Sequence, residues 1–96
     1  MMKELSELRL ELDQLDRELV ALFERRMTVS REVARYKLDH GLPVLDASRE
    51  AQVIASREAM LSDASFSPAL RALFDTILSL SRQEQEAILR EVRGDA

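Results

Sequence analysis

Neither glycine nor proline occurs before Gly41 and Pro43, and across that tract leucine recurs in threes and fours, at Leu5, Leu8, Leu12, Leu15, Leu19 and Leu22. This spacing lays one apolar stripe along one face of a helix. A helix over about 4–38 would be ~50 Å long, whereas a compact chain of this size has a radius of gyration of only ~13 Å. Much of the leucine stripe therefore has nothing in its own chain to cover it. The economical solution is a homodimer in which two copies of the long helix pack together. A plain helical hairpin or coiled-coil adaptor shares the same periodicity.

The remaining punctuation predicts two more helices. Gly41 and Pro43 in "HGLPVLD" stop the first, glycine closing the helix and proline preventing its continuation. A second helix is expected over about 46–60 with Asp46 as N-cap. A third is expected over about 68–92, with Ser67 as cap and Pro68 in the first helical position. The expectation is an all-α, three-helix chain forming a single domain over 1–96.

The balance of residues narrows the function. With 46% hydrophobic and 33% charged residues the chain can fold, but its net charge of −4 disfavours a general nucleic-acid binder, which needs a basic surface. No cysteine is present and His40 is the lone histidine, beside Gly41 in a turn. Thiolate metal sites are thereby excluded, and histidine-based metal or nucleophilic chemistry is disfavoured. The N-terminus lacks a signal-peptide core and no run reaches membrane-spanning length, which suits a cytoplasmic location.

Polar residues interrupt the inward stripe of every helix. After Leu22 the next slot of the leucine rhythm is Arg26, and Val29, Val33 and Tyr36 then resume it. Lys37 follows Arg26 by eleven positions, three turns, so both leave nearly the same face ~16 Å apart, where two long cations can clasp a small anion. Arg9 stands seventeen positions before Arg26, ~25 Å away and turned by roughly 100°; to share a site with Arg26 it must come from a second chain. In the second helix Asp46, Arg49, Glu50 and Val53 share a face. In the third, Ser81 and Gln85 fall on the stripe of Phe74, Ile77, Leu78, Ile88 and Val92. Singly, Asp46 reads as a cap, Arg49 and Glu50 as solvated first-turn charges, and Ser81 and Gln85 as members of a wider polar face; for Arg26 alone the plain reading, a register-setting coiled-coil residue, is the weaker one. Jointly they supply cations, carboxylates, a hydroxyl and an amide around one space.

The order Arg9, "ERR" ending at Arg26, Lys37, "PVLDASRE" with Asp46, Arg49 and Glu50, then Ser81 and Gln85 resembles the all-helical AroQ-type chorismate mutases, closest to the short bacterial domain. The likeness covers roughly Leu5 to Gln85 and agrees at eight positions in three helices. It implies an intertwined homodimer of three-helix chains with two active sites. It implies rearrangement of chorismate to prephenate, toward phenylalanine and tyrosine, with no cofactor and no metal. By resemblance Arg26, Arg49 and Ser81, with Arg9 from the other subunit, hold carboxylates. Lys37 contacts a carboxylate and the ether oxygen, Gln85 donates to the same oxygen, and Asp46 and Glu50 hold the ring hydroxyl end. Arg82 departs from the pattern, standing where the bacterial domain usually has an apolar residue; solvent exposure, an added cation in the site, or altered substrate preference are its open readings. The alternatives are an aminodeoxychorismate mutase or an isochorismate-pyruvate lyase on the same scaffold, and a non-catalytic helical interaction module. No sequence feature demonstrates a partner enzyme of the same pathway.

Overall fold

The first helix sets the shape. In a computed structural model describing residues 2–94, α1 runs Leu5–Asp39, and the molecule extends 58 × 26 × 17 Å with a radius of gyration of 17.2 Å. That is well above the ~13 Å of a compact domain of this length. Every residue from 2 to 25 is exposed, so the N-terminal half of α1 stands clear of the rest of the chain.

Two helices pack against the other half. The α2 helix spans Ala47–Glu58, and α3 spans Ser67–Arg93 after a short 3-10 turn at Ala64–Phe66. No strand occurs among the described residues, and the architecture is all-α. Both α1 and α2 pack on α3, but α2 does not pack on α1. Arg26, Arg31 and Lys37 of α1 meet Ser81, Glu84 and Gln85 of α3 in the same chain order, so these two helices run parallel. No helix of the described residues is long and apolar enough to cross a membrane.

The α1–α3 contact uses a stripe one residue out of step with the leucine rhythm. Met27, Ser30 and Ala34 are buried, while Val29, Val33 and Tyr36 remain exposed along with the six leucines. Adjacent positions on a helix point ~100° apart, so the seam and the intrachain contact occupy different faces. The six leucines of the seam, 42–60% exposed, are left open, while its Arg26 slot turns toward α3.

Helix ends follow local chemistry with one correction. Gly41 adopts φ 65°, and the Gly41 and Leu42 amides donate to the Leu38 and Lys37 carbonyls, a glycine-closed C-terminus in the Schellman arrangement. The Asp46 carboxylate accepts from the Arg49 amide at 3.0 Å, capping α2. Ser67, however, is not a cap. The chain turns helically from Ala64 onward, so the extended cap position falls to Asp63, whose side chain accepts from the Ser65 amide and hydroxyl. Ser67 lies inside the helix and its hydroxyl donates to Glu58, tying α3 to the end of α2.

Candidate active site

Because α2 rests on α3 but stops short of α1, a cavity of about 340 Å³ remains between them, within the range of small-molecule sites. Val29, Val33, Val44, Val53 and Leu78 supply its apolar lining. Arg26, Ser30 and Lys37 reach it from α1, and Asp46, Arg49 and Glu50 from the start of α2. Ser81, Arg82 and Gln85 reach it from one turn of α3.

Lys37 is held by the loop that follows its own helix. Its ammonium donates to the Val44 carbonyl at 2.7 Å and to Gln85 Oε1 at 3.2 Å. An ammonium only donates, so Gln85 must turn its oxygen toward Lys37, and its amide NH₂ is left as a donor. At the other end, Arg26 donates to Ser81 Oγ at 2.8 Å and Ser30 donates to the same oxygen at 3.1 Å. With both lone pairs occupied, the buried Ser81 hydroxyl has only its proton to offer a ligand. Arg26 and Lys37 thus converge on residues a single turn apart on α3.

The cavity carries a local charge opposite to that of the chain. Four cations and two carboxylates line it, an excess of two positive charges in a protein of net charge −4. Among the described residues Arg26, Lys37 and Arg49 form no ion pair; Arg49 reaches only Gln52. Burial, and then the charges of Arg57 and Arg49, pull Arg26 below the ordinary guanidinium value. Arg82 is the exception, paired with Glu50, whose hydrogen bond raises the guanidinium further above its usual value.

Seven of the eight residues expected from the sequence line this one cavity: Arg26, Lys37, Asp46, Arg49, Glu50, Ser81 and Gln85. The eighth, Arg9, lies on the exposed half of α1 and does not. Arg82 belongs to the lining and spans α2 and α3 through Glu50. Two contributors escaped sequence reasoning. Ser30 is one helical turn beyond Arg26 and on its face, which was the available signal. Arg57 is close enough to Arg26 to depress it, and its spacing of seven from Glu50 was the corresponding clue.

The profile of the chorismate mutase type II family matches residues 8–86, a span that contains all eight expected site residues. The chain belongs to the chorismate mutase type II family. Among similar proteins, the 4-amino-4-deoxychorismate mutase of Streptomyces venezuelae is 35% identical over 94 residues, covering 92% of this chain and 87% of that protein. The T-protein of Haemophilus influenzae is 41% identical over 56 residues, 58% of this chain but only 15% of its own length. A 3-dehydroquinate dehydratase of Pyrobaculum aerophilum is 47% identical over 47 residues, 49% of this chain and 16% of that protein. The chain thus spans only a small part of these last two relatives. No solved structure matches it. Within the chorismate mutase type II fold, the cavity lies where all three helices and the 41–46 loop meet.

Proposed function

We propose that the cavity binds chorismate and that the protein is a chorismate mutase, forming prephenate on the route to phenylalanine and tyrosine. The observation that carries this reading is the convergence of Arg26, Lys37 and Arg49 on one small cavity without a carboxylate partner. Arg26 and Lys37 are partly shielded, and cations in such a setting without a counter-charge are unfavourable unless a ligand completes them; Arg49 adds a solvent-exposed third cation at the mouth. Chorismate brings two carboxylates, matching the excess of two positive charges, and a ring hydroxyl for the acidic end at Asp46 and Glu50.

The reaction is intramolecular. The ether C–O bond breaks while a C–C bond forms between the side chain and the ring, and no group leaves. The protein then has two tasks: to hold the compact conformer that brings the two carbons together, and to stabilise charge growing on the ether oxygen. Arg26, Arg49 and the Ser81 hydroxyl grip carboxylate oxygens, guanidinium forks being suited to them. Lys37 and the free NH₂ of Gln85 donate to the ether oxygen. Both are pre-set by bonds to Val44 and to each other, so they need little reorganisation as the bond breaks.

The working form is a homodimer in which Arg9 of the partner subunit completes each site. The open leucine seam of α1 and the distance of Arg9 from its own cavity support this arrangement. The decisive assay follows chorismate disappearance with prephenate identified as product. A purified protein that leaves chorismate unchanged would defeat the proposal and favour a non-catalytic module. One observation favours a second reading: the similarity to a 4-amino-4-deoxychorismate mutase extends over nearly the whole chain. Faster turnover of the amino analogue than of chorismate would establish that alternative.

A further inference from the structure

We infer that Arg82 sets the cavity's preference for a hydroxyl over an amine on the ring substituent that faces Glu50, an inference that rests on reading the cavity as a chorismate site. Arg82 projects from α3, three residues before Gln85 and next to Ser81, and donates through its guanidinium to Glu50 Oε1 across the gap to α2. Both side chains line the cavity and both are partly shielded, 32% and 23% exposed. Charges in such a setting are screened less than those of a fully solvated pair.

The pairing changes what Glu50 can do. One oxygen is occupied and its charge is balanced, leaving Oε2 as an acceptor for a single donor. A hydroxyl needs no more than that. An amine on a saturated ring carbon is protonated near neutral pH, so it brings a positive charge and additional N–H donors. It meets a carboxylate already neutralised and a permanent guanidinium charge beside it. Without Arg82 both effects reverse: Glu50 becomes a free carboxylate, the better partner for an ammonium, and the repelling cation is gone. Arg82 is also surrounded by Asp75 and Glu86 on its own helix, but its direct hydrogen bond is to Glu50.

The test compares kcat/KM for chorismate and for 4-amino-4-deoxychorismate in the full chain and in Arg82→Leu, Arg82→Gln and Arg82→Lys, with folding of each checked by circular dichroism. The wild type should favour chorismate. Arg82→Leu should shift the ratio toward the amine by on the order of tenfold or more, and Arg82→Lys should restore most of it by returning the charge. Arg82→Gln, which keeps a donor without a charge, should behave like Arg82→Leu and stands in if that variant does not fold. Chorismate turnover with a ratio unchanged by loss of the charge overturns the role of Arg82 and leaves the chorismate reading standing. A wild type that prefers the amine overturns it as well. Turnover of neither substrate overturns the reading of the site and the inference together.

Discussion

Lys37 and Gln85 orient one another across the α1–α3 contact: the ammonium lies 3.2 Å from Oε1 of the amide and 2.7 Å from the Val44 carbonyl. The consequence is chemical rather than merely structural, because a glutamine so held is a donor at every accessible pH. A glutamate in its place would donate only when protonated, and the adjacent ammonium would favour its ionised form.

The wild type should therefore keep its activity from mildly acidic to mildly alkaline pH, while Gln85→Glu should lose activity steeply as pH rises. A pH profile of kcat for both proteins checks this. An acid-only optimum in the wild type would count against Gln85 as the donor.

Lys37→Ala removes the charged donor and also frees Gln85. Loss of a pre-set donor of this type lowers kcat by ~10²–10³. Steady-state kinetics should show the loss mainly in kcat, since the charge it stabilises develops only in the transition state.

Arg26→Met should separate stability from activity. The guanidinium lacks an ion pair and is depressed first by its burial and then by Arg57 and Arg49, whereas methionine keeps an unbranched helix-forming chain without the charge. Activity should fall at least a hundredfold, by analogy with other pre-set donors. The midpoint of unfolding in the absence of ligand should equal or exceed that of the wild type. A large drop in that midpoint would mean that Arg26 serves packing.

Ser30→Ala takes one of the two donors from Ser81 Oγ. The lost hydrogen bond should reduce stability by about 1 kcal/mol, measured by denaturant unfolding. Catalysis should weaken less than in Ser81→Ala, because Arg26 still fixes the oxygen.

Arg9→Ala and Arg26→Ala proteins, each inactive alone, should recover activity when mixed. If Arg9 acts across the dimer, each heterodimer regains one intact site. A 1:1 mixture with complete exchange should then reach about a quarter of wild-type activity. No recovery, with exchange verified by mass spectrometry, would confine Arg9 to its own subunit or remove it from the site. If the leucine seam pairs two chains, the unsubstituted protein should sediment as a dimer and Leu15→Glu with Leu19→Glu as a monomer; a wild type that sediments as a monomer would defeat the proposed pairing.

The helical pattern was legible because its causes are local. Leucine spacing, the glycine at Gly41 and the carboxylate at Asp46 act within a turn or two of themselves. The seven expected residues that line the cavity were legible for a related reason: a charge, amide or hydroxyl on an apolar stripe is anomalous wherever the stripe packs. Ser67 misled because a serine before proline is a good cap only if the preceding chain is extended, and here the 3-10 turn moved that position back to Asp63.

The sequence alone determined the three helices, their ends to within a few residues, and which residues are out of place on their inward faces. Only the tertiary structure decided which of those residues meet. Arg26 found Ser81 rather than a carboxylate, Lys37 turned Gln85, and Arg82 reached Glu50 thirty-two residues away. Such pairings depend on how parallel α1 and α3 are offset and on how α2 rests on α3 alone. Periodicity along one helix says which way a side chain leaves its own axis, and nothing about what stands opposite it.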